Sequence, residues 1–363
     1  MAEDPRIGEE ARTANQILLE DAISRGISLE RLKNMLVRDL VGFLNDEVYP
    51  EVLGKLTAAL ERIRLRGGDS GVWSTQRYAD LLAKVKDAID AGTAEARARY
   101  IDQAVDLASA ESAWQVAQFD SVAGGLGFDF VTPPKATLRA IVTQEPFEGD
   151  TIRSWFDNLG NDTLRRVQRS VDLGLAQGET LEEIVSRVRG TKAAGYADGA
   201  FAASRNQAET IARTAAVHVS SRAREQTFAE NSDVVKGATW VATLDDRTCP
   251  ICGGLDGQTF DVGKGPRPPA HPNCRCTAVP ALRSWKELGI DLSNAPPGTR
   301  ASMNGEVPDS MTFPEWLRKQ SRQTVEDVLG PGRADLFLSG EKSFDQFTND
   351  RGRILTLAQL GAG

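Results

Sequence analysis

Apolar residues recur at helical spacing through most of the chain. Leu29, Leu32, Leu36, Leu40 and Phe43 follow one another behind Ser28, and Leu53, Leu56, Leu60 and Ile63 repeat the pattern after Pro50. Tyr78, Leu82, Val85 and Ile89 mark another helix, and an Ala/Arg/Glu-rich run from Thr93 to about Phe119 has the propensity for a long one. Gly67 to Gly71 reads as a turn or loop. Further helices are predicted from Thr151 to about Leu159, from Thr163 to Ala176, and from a Thr180/Glu183 capping box onward. The stretch Ser204–Asn231 carries Ala208, Ile211, Ala212, Ala215, Val219, Ala223 and Phe228 on its apolar face. Most of these stripes are core faces, as such spacing ordinarily is.

The period changes after residue 235. Thr239-Trp240-Val241-Ala242-Thr243 is β-prone, and Asp256-Gly257 is a hairpin signal. Helix returns behind a second capping box, Thr312/Glu315, and ends at Gly330-Pro331-Gly332. Gly124-Gly125-Leu126-Gly127 followed by Thr132-Pro133-Pro134 is the clearest break in the first half, and the Pro/Gly-rich stretch 294–309 reads as an exposed linker. The expected architecture is mainly α: an elongated helical body, a small β-containing zinc-knuckle insert and a helical C-terminal tail. Its segments are an N-terminal helical domain at 1–123, a helical core at 135–235, a β/knuckle subdomain at 236–290, and a linker with tail at 291–363.

Composition narrows the function. Of 363 residues, 43 are basic and 51 acidic, a net charge of −8. An acidic chain does not wrap nucleic acid over its whole surface, so any DNA contact is local, with Arg205, Arg222 and Arg224 as candidates. No apolar run approaches the ~20 residues of a membrane helix, and the acidic start lacks an apolar signal region. The expected compartment is the cell in which the protein is made.

The four cysteines of the chain, Cys249, Cys252, Cys274 and Cys276, fall in one short stretch. A secreted disulfide scaffold would spread them, so this usage suggests a reducing compartment and a single local site. The order is Cys249-x2-Cys252, then His271-x2-Cys274-x-Cys276. Two thiolates on a tight turn plus a Cys/His group from a returning loop suit a structural zinc. Five candidate ligands compete for four places, Cys249 and Cys252 being common to every scheme. Disulfides formed late and reduced thiols packed together are the plainer alternatives. Catalysis is disfavoured: Asp256 is explained by its turn, Asp245 and Asp246 by the end of a strand, and His218 as an ordinary side chain of an Arg-rich helix.

The runs Arg205 to Thr214, Leu244 to Cys252 with Trp240 before them, Leu255-Asp256-Gly257, and Pro268 to Cys276 resemble the signature of tailed-phage minor head proteins, the Mu F-like and SPP1 head-morphogenesis group. The specific part covers roughly residues 150–280. The resemblance implies a virion component inside the capsid near the portal vertex, made in the bacterial cytoplasm. Its implied partners are the portal protein, capsid or scaffold proteins and packaged double-stranded DNA, with a role in DNA packaging or ejection. A metal-dependent nuclease or a toxin-like effector carried with the head is the alternative. Where many members follow the Ile-Ala-Arg-Thr run with an acid, this chain has Ala215. Arg213 and Thr214 are therefore expected to anchor the neighbouring β insert, with Trp240 and Asp246 as structural partners. Trp316/Leu317 and Leu355/Leu357/Leu360 of the tail are expected to dock on the body or on a partner.

Overall fold

In the computed structural model the described residues are 14–67, 75–123, 127–284, 287, 299–349 and 352–361. Most of the expected loop at 67–71 and of the glycine run at 124–127 lies outside them. Helix makes up 63% of the described residues, so the fold is mainly α as the periodicity predicts. The helices are α1 (Ala14–Phe43), α2 (Tyr49–Gly67), α3 (Thr75–Ala123), α4 (Lys135–Gln144), α5 (Ile152–Ala176), α6 (Leu181–Arg189) and α7 (Ala200–Glu230). Strand β1 (Val235–Val241), helix α8 (Pro250–Leu255), β2 (Thr259–Asp261), β3 (Thr277–Leu282), β4 (Thr299–Ser302) and β5 (Gly305–Pro308) follow. The chain closes with α9 (Phe313–Leu317), α10 (Arg322–Leu329), α11 (Pro331–Ser339) and a 3₁₀ turn, Phe344–Phe347.

Several helices run further than their local signals suggest. Ser28 lies inside α1 rather than capping it, and α3 and α5 each join two expected helices into one. Pro50 does not separate α1 from α2. A π-helical turn at Leu44–Val48 precedes it, with the Tyr49 N–H donating to the Leu44 carbonyl. The wider turn is the form in which a proline ring and its missing N–H are accommodated within a helical path.

Contacts group the chain into two compact units made of separated segments. One takes residues 31–106 and 139–216; the other takes 1–30, 107–138 and 217–363. The three longest helices, α1, α3 and α7, supply residues to both. In the first unit Tyr100 donates from its hydroxyl to the Ala212 carbonyl at 2.7 Å, and Tyr49 stacks on Phe201 with ring centroids 4.1 Å apart. Val85, Phe156, Val167, Val171 and Ala208 are completely buried there. The Thr180/Glu183 capping box starts α6 as expected.

The second unit carries the β structure. A three-stranded antiparallel sheet has the order β2-β1-β3, with Trp240 opposite Ala278 and Val241 opposite Thr277. The Asp256-Gly257 pair does not make a two-residue hairpin. Strands β1 and β2 are joined instead through α8, Asp256 ends that helix, and its carboxylate is buried. The stretch expected as an exposed linker is also different: residues 299–308 form the β4–β5 hairpin, and Arg300 is buried. A largely aromatic cluster of Phe313, Trp316, Phe337, Phe344 and Phe347, joined by Leu317, packs the tail around Leu244. Trp316, Leu317 and Leu360 are buried, whereas Leu357 remains exposed. Gly330 ends α10 and Pro331 at once begins α11, so the Gly-Pro-Gly stop is also a start.

Candidate metal centre

The register of the sheet brings the cysteines together. Pairing of Val241 with Thr277 puts the segment leaving β1 and the segment entering β3 at one sheet end. The first segment holds Cys249 and Cys252, and the second holds His271, Cys274 and Cys276. The loop 262–276 returns the length of the sheet. It is held on the way by Glu225, which accepts from Arg267 Nε at 2.6 Å, from Arg267 Nη2 at 3.1 Å and from the Gly263 N–H. Arg267 and Glu225 are both largely buried.

Cys249 caps α8, its sulfur accepting from the Cys252 N–H at 3.4 Å, with Pro250 at the first helical position. The ligand atoms of Cys249, Cys252 and His271 lie within 4.8 Å of one another, as do those of Cys252, Cys274 and Cys276. Cys252, common to both groups, has its sulfur 3.8 Å from that of Cys274 and 3.3 Å from His271 Nε2. Around a tetrahedral zinc with ordinary bond lengths, sulfurs are about 3.8 Å apart and sulfur and nitrogen about 3.6 Å. The donor spacing therefore fits a metal ion.

His271 is oriented for ligation. Its Nδ1 contacts the Pro272 carbonyl at 2.9 Å, which places the proton on Nδ1 and leaves the Nε2 lone pair toward the thiols. Asn273, at φ +60°, makes the turn that lets the Cys274 N–H donate to the His271 carbonyl at 3.1 Å. The Cys252 thiol, together with His271, lowers the Cys249 pKa to about 4 against the opposing effect of burial. Cys252 and Cys276 likewise hold the Cys274 thiol far below its usual range. Cys249 raises His271 to about 9. The same contacts push the Cys252 and Cys276 thiols up, so the four sulfurs share charge unevenly. Trp240 is buried beside the cysteines, and its indole N–H, with no conventional partner among the described residues, acts on the Cys276 sulfur.

Three residue roles differ from those expected. Arg213 donates to Glu209 at 2.9 Å and to Asn34 at 2.9 Å, within the first unit; a carboxylate one turn away captures it, so it does not anchor the insert. Thr214 donates its hydroxyl to the Thr210 carbonyl of its own helix. Asp246 is exposed, and its neighbour Asp245 takes the structural role, accepting from both Arg275 Nη groups at 2.5 and 2.8 Å. Arg275 sits between Cys274 and Cys276, so this fork fixes the ligand strand.

A further correction concerns DNA. Arg224 is 2% exposed and donates from Nε to Glu111 at 2.6 Å, from Nη1 to the Ala278 carbonyl at 3.0 Å, and to the Thr277 hydroxyl. A guanidinium committed in this way does not reach a phosphate. It holds the start of β3, directly after Cys276. Arg205, half-buried, donates to the Tyr196 carbonyl at 2.5 Å, and Arg222 is half-buried. His218 is buried, and burial together with nearby Arg222 lowers its pKa to about 4.

Sequence reading missed Glu111 and Glu225, and gave Asp256, the third carboxylate that completes this architecture, only a turn role. Asp256 accepts from the Ala242 N–H at 2.7 Å, the Phe313 N–H at 2.7 Å and Arg300 at 3.0 Å. The one local signal is Arg275 between two cysteines; the others need partners distant along the chain. Among the described residues no helix is long and apolar enough to cross a membrane.

The model of the family described as Phage Mu protein F like protein matches residues 165–279, about a third of the chain. No curated protein and no solved structure matches. The matched segment ends three residues beyond Cys276, taking in α7, β1, α8, β2, the first half of β3 and all five candidate ligands. Over residues 165–279 the chain is similar to the Phage Mu protein F like family.

Proposed function

We propose that the protein is a minor head protein of a tailed phage, carried inside the capsid near the portal vertex, where it associates with the portal and with packaged DNA during assembly, packaging or ejection. The observation that carries this reading is the Cys/His cluster built inside the Mu F-like segment. Its role in the proposal is structural: a zinc ion held by Cys249, Cys252, His271 and Cys274, with Cys276 beside them under the Trp240 indole. The ion would tie α8 to the returning loop, supplying folding free energy to a segment with little apolar core of its own. Asp245 and Asp256, which flank Cys249 and Cys252 in sequence, are engaged by Arg275 and Arg300, which favours a staple over a hydrolytic centre. Contacts with DNA, assigned to exposed arginines other than Arg224, are weak and local in an acidic protein.

Two measurements test the proposal. Metal analysis of the purified protein is expected to give about one equivalent of zinc, with loss of near-UV dichroism in chelator. Less than a tenth of an equivalent, with no structural change, overturns the zinc assignment. Virions analysed by quantitative mass spectrometry are expected to contain the protein at a few copies, cross-linked to the portal. Its absence from virions overturns the head-protein reading.

A further inference from the structure

Helix α8 has six residues, too few to persist alone, because a single helical turn does not repay the entropy of its own nucleation. It is held from two sides by different parts of the unit. At its beginning Cys249 and Cys252 face the thiol and imidazole cluster. At its end Asp256 accepts from the Phe313 N–H that opens α9 and from buried Arg300 of β4. Arg300 in turn donates to the Ala242 carbonyl at 2.6 Å and the Met311 carbonyl at 3.2 Å. Between the two ends Gly253 lies against the tail aromatics. A Cβ there would stand 2.4 Å from Phe313 and 3.0 Å from Phe344, so only glycine permits this approach. The Met303 N–H donates to the Leu244 carbonyl at 2.9 Å, and Leu244 is buried in the tail cluster.

One short helix thus presents a ligand, Cys252, and the seat of the tail, Gly253, at adjacent positions. We infer that the described C-terminal segment 299–361 is a docking module whose attachment is coupled to metal occupancy of the knuckle. The inference rests on the metal reading of the knuckle proposed above. Loss of the ion frees the beginning of α8, and the shortened helix no longer holds Asp256 and Gly253 in register for Phe313, Phe344 and Arg300. Linkage is reciprocal: whatever factor the metal adds to tail docking, the docked tail adds to metal affinity. A phage head protein built this way would hold the aromatic cluster covered while the ion is bound and expose it when the ion is lost.

The test uses the full chain. Hydrogen exchange read by mass spectrometry is compared before and after removal of zinc by a strong chelator. Amides over 313–347 are expected to lose protection by at least about fivefold, the lower end of ordinary coupling, while those of α5 keep theirs. In parallel, Phe344→Leu, which keeps an apolar side chain, and Gly253→Val are expected to release zinc to a chromogenic chelator at least about fivefold faster than the parent. Unchanged protection over 313–347 after metal removal, or unchanged release in both variants, overturns the coupling. Should the protein bind no zinc, the metal reading fails separately. The rate at which Cys252 reacts with a disulfide reagent then reads the contact of α8 with the tail: acceleration in Phe344→Leu supports it, and an unchanged rate overturns it.

Discussion

Replacing Arg224 by methionine separates a structural arginine from a DNA-binding one. The guanidinium is 2% exposed and the Glu111 side chain completely buried, so the variant leaves a buried carboxylate with Arg25, at 3.1 Å, as its remaining charged partner. Removing one member of a buried ion pair costs about 3–5 kcal/mol. The retained Arg25 offsets part of this, while the Ala278 carbonyl and Thr277 hydroxyl lose their donor, at about 1 kcal/mol each. The expected loss is about 4 kcal/mol, which lowers the melting temperature by roughly 8–16 °C for a cooperative unit of this size. Thermal unfolding followed by circular dichroism reads the shift. The double variant Glu111→Leu/Arg224→Met recovers most of it, because an apolar pair of similar volume often replaces a buried ion pair without loss. A single variant within about 0.5 kcal/mol of the parent that is also retained more weakly on duplex DNA at low salt would refute the structural role.

Three further outcomes follow from the same geometry. Asp245→Asn breaks the fork that holds Arg275 between two ligands and is expected to cost about 1 kcal/mol and to hasten zinc loss; burial opposes ionisation of Asp245, but Arg275 overrides it and keeps the pKa low, so the stabilisation is present at neutral pH and is lost as pH falls through that depressed value, and a parent-like acid limb of the urea-midpoint profile in the variant would contradict this. His218, whose pKa falls to about 4 on burial, is uncharged in the folded chain and gains a proton more readily when unfolded; stability is full above pH 6.5 and declines toward pH 4 by up to about 3 kcal/mol, and His218→Gln is expected to flatten that slope in urea titrations. Thr180→Ala removes the cap of α6 and is expected to cost about 1 kcal/mol in the same assay; a neutral result would mean that packing of Ile184 and Val188 alone sets the start of the helix.

The local chemistry of the site was readable because it is local. Cys249 and Cys252 share one turn, Cys274 and His271 share another, and ligand type with spacing is enough to nominate them. The Thr180/Glu183 box and the apolar stripes of α2, α5 and α7 were legible for the same reason: helix capping and periodicity act over three or four residues. Arg213 and Arg224 illustrate the limit. They lie on one helix, eleven residues apart; Glu209, one turn before Arg213, gives that pair a local signal, whereas Arg224 has Ser220 at the same spacing and is sealed against Glu111, 113 residues away. Arg300 in a Pro/Gly-rich stretch carries even less signal, although it is among the most deeply buried charges.

The amino-acid sequence by itself therefore determined a mainly helical chain with one Cys/His knuckle and a family signature, since hydrophobic period and ligand spacing are properties of neighbouring residues. Tertiary structure alone decided which charges are structural, that Arg224 pairs with Glu111 across 113 residues and Arg300 with Asp256 across 44, and that the tail seats on the same short helix as the thiols. A charged side chain reads as solvated until the chain returns with its counterion, and that return is set by the packing of distant elements, which no local pattern encodes.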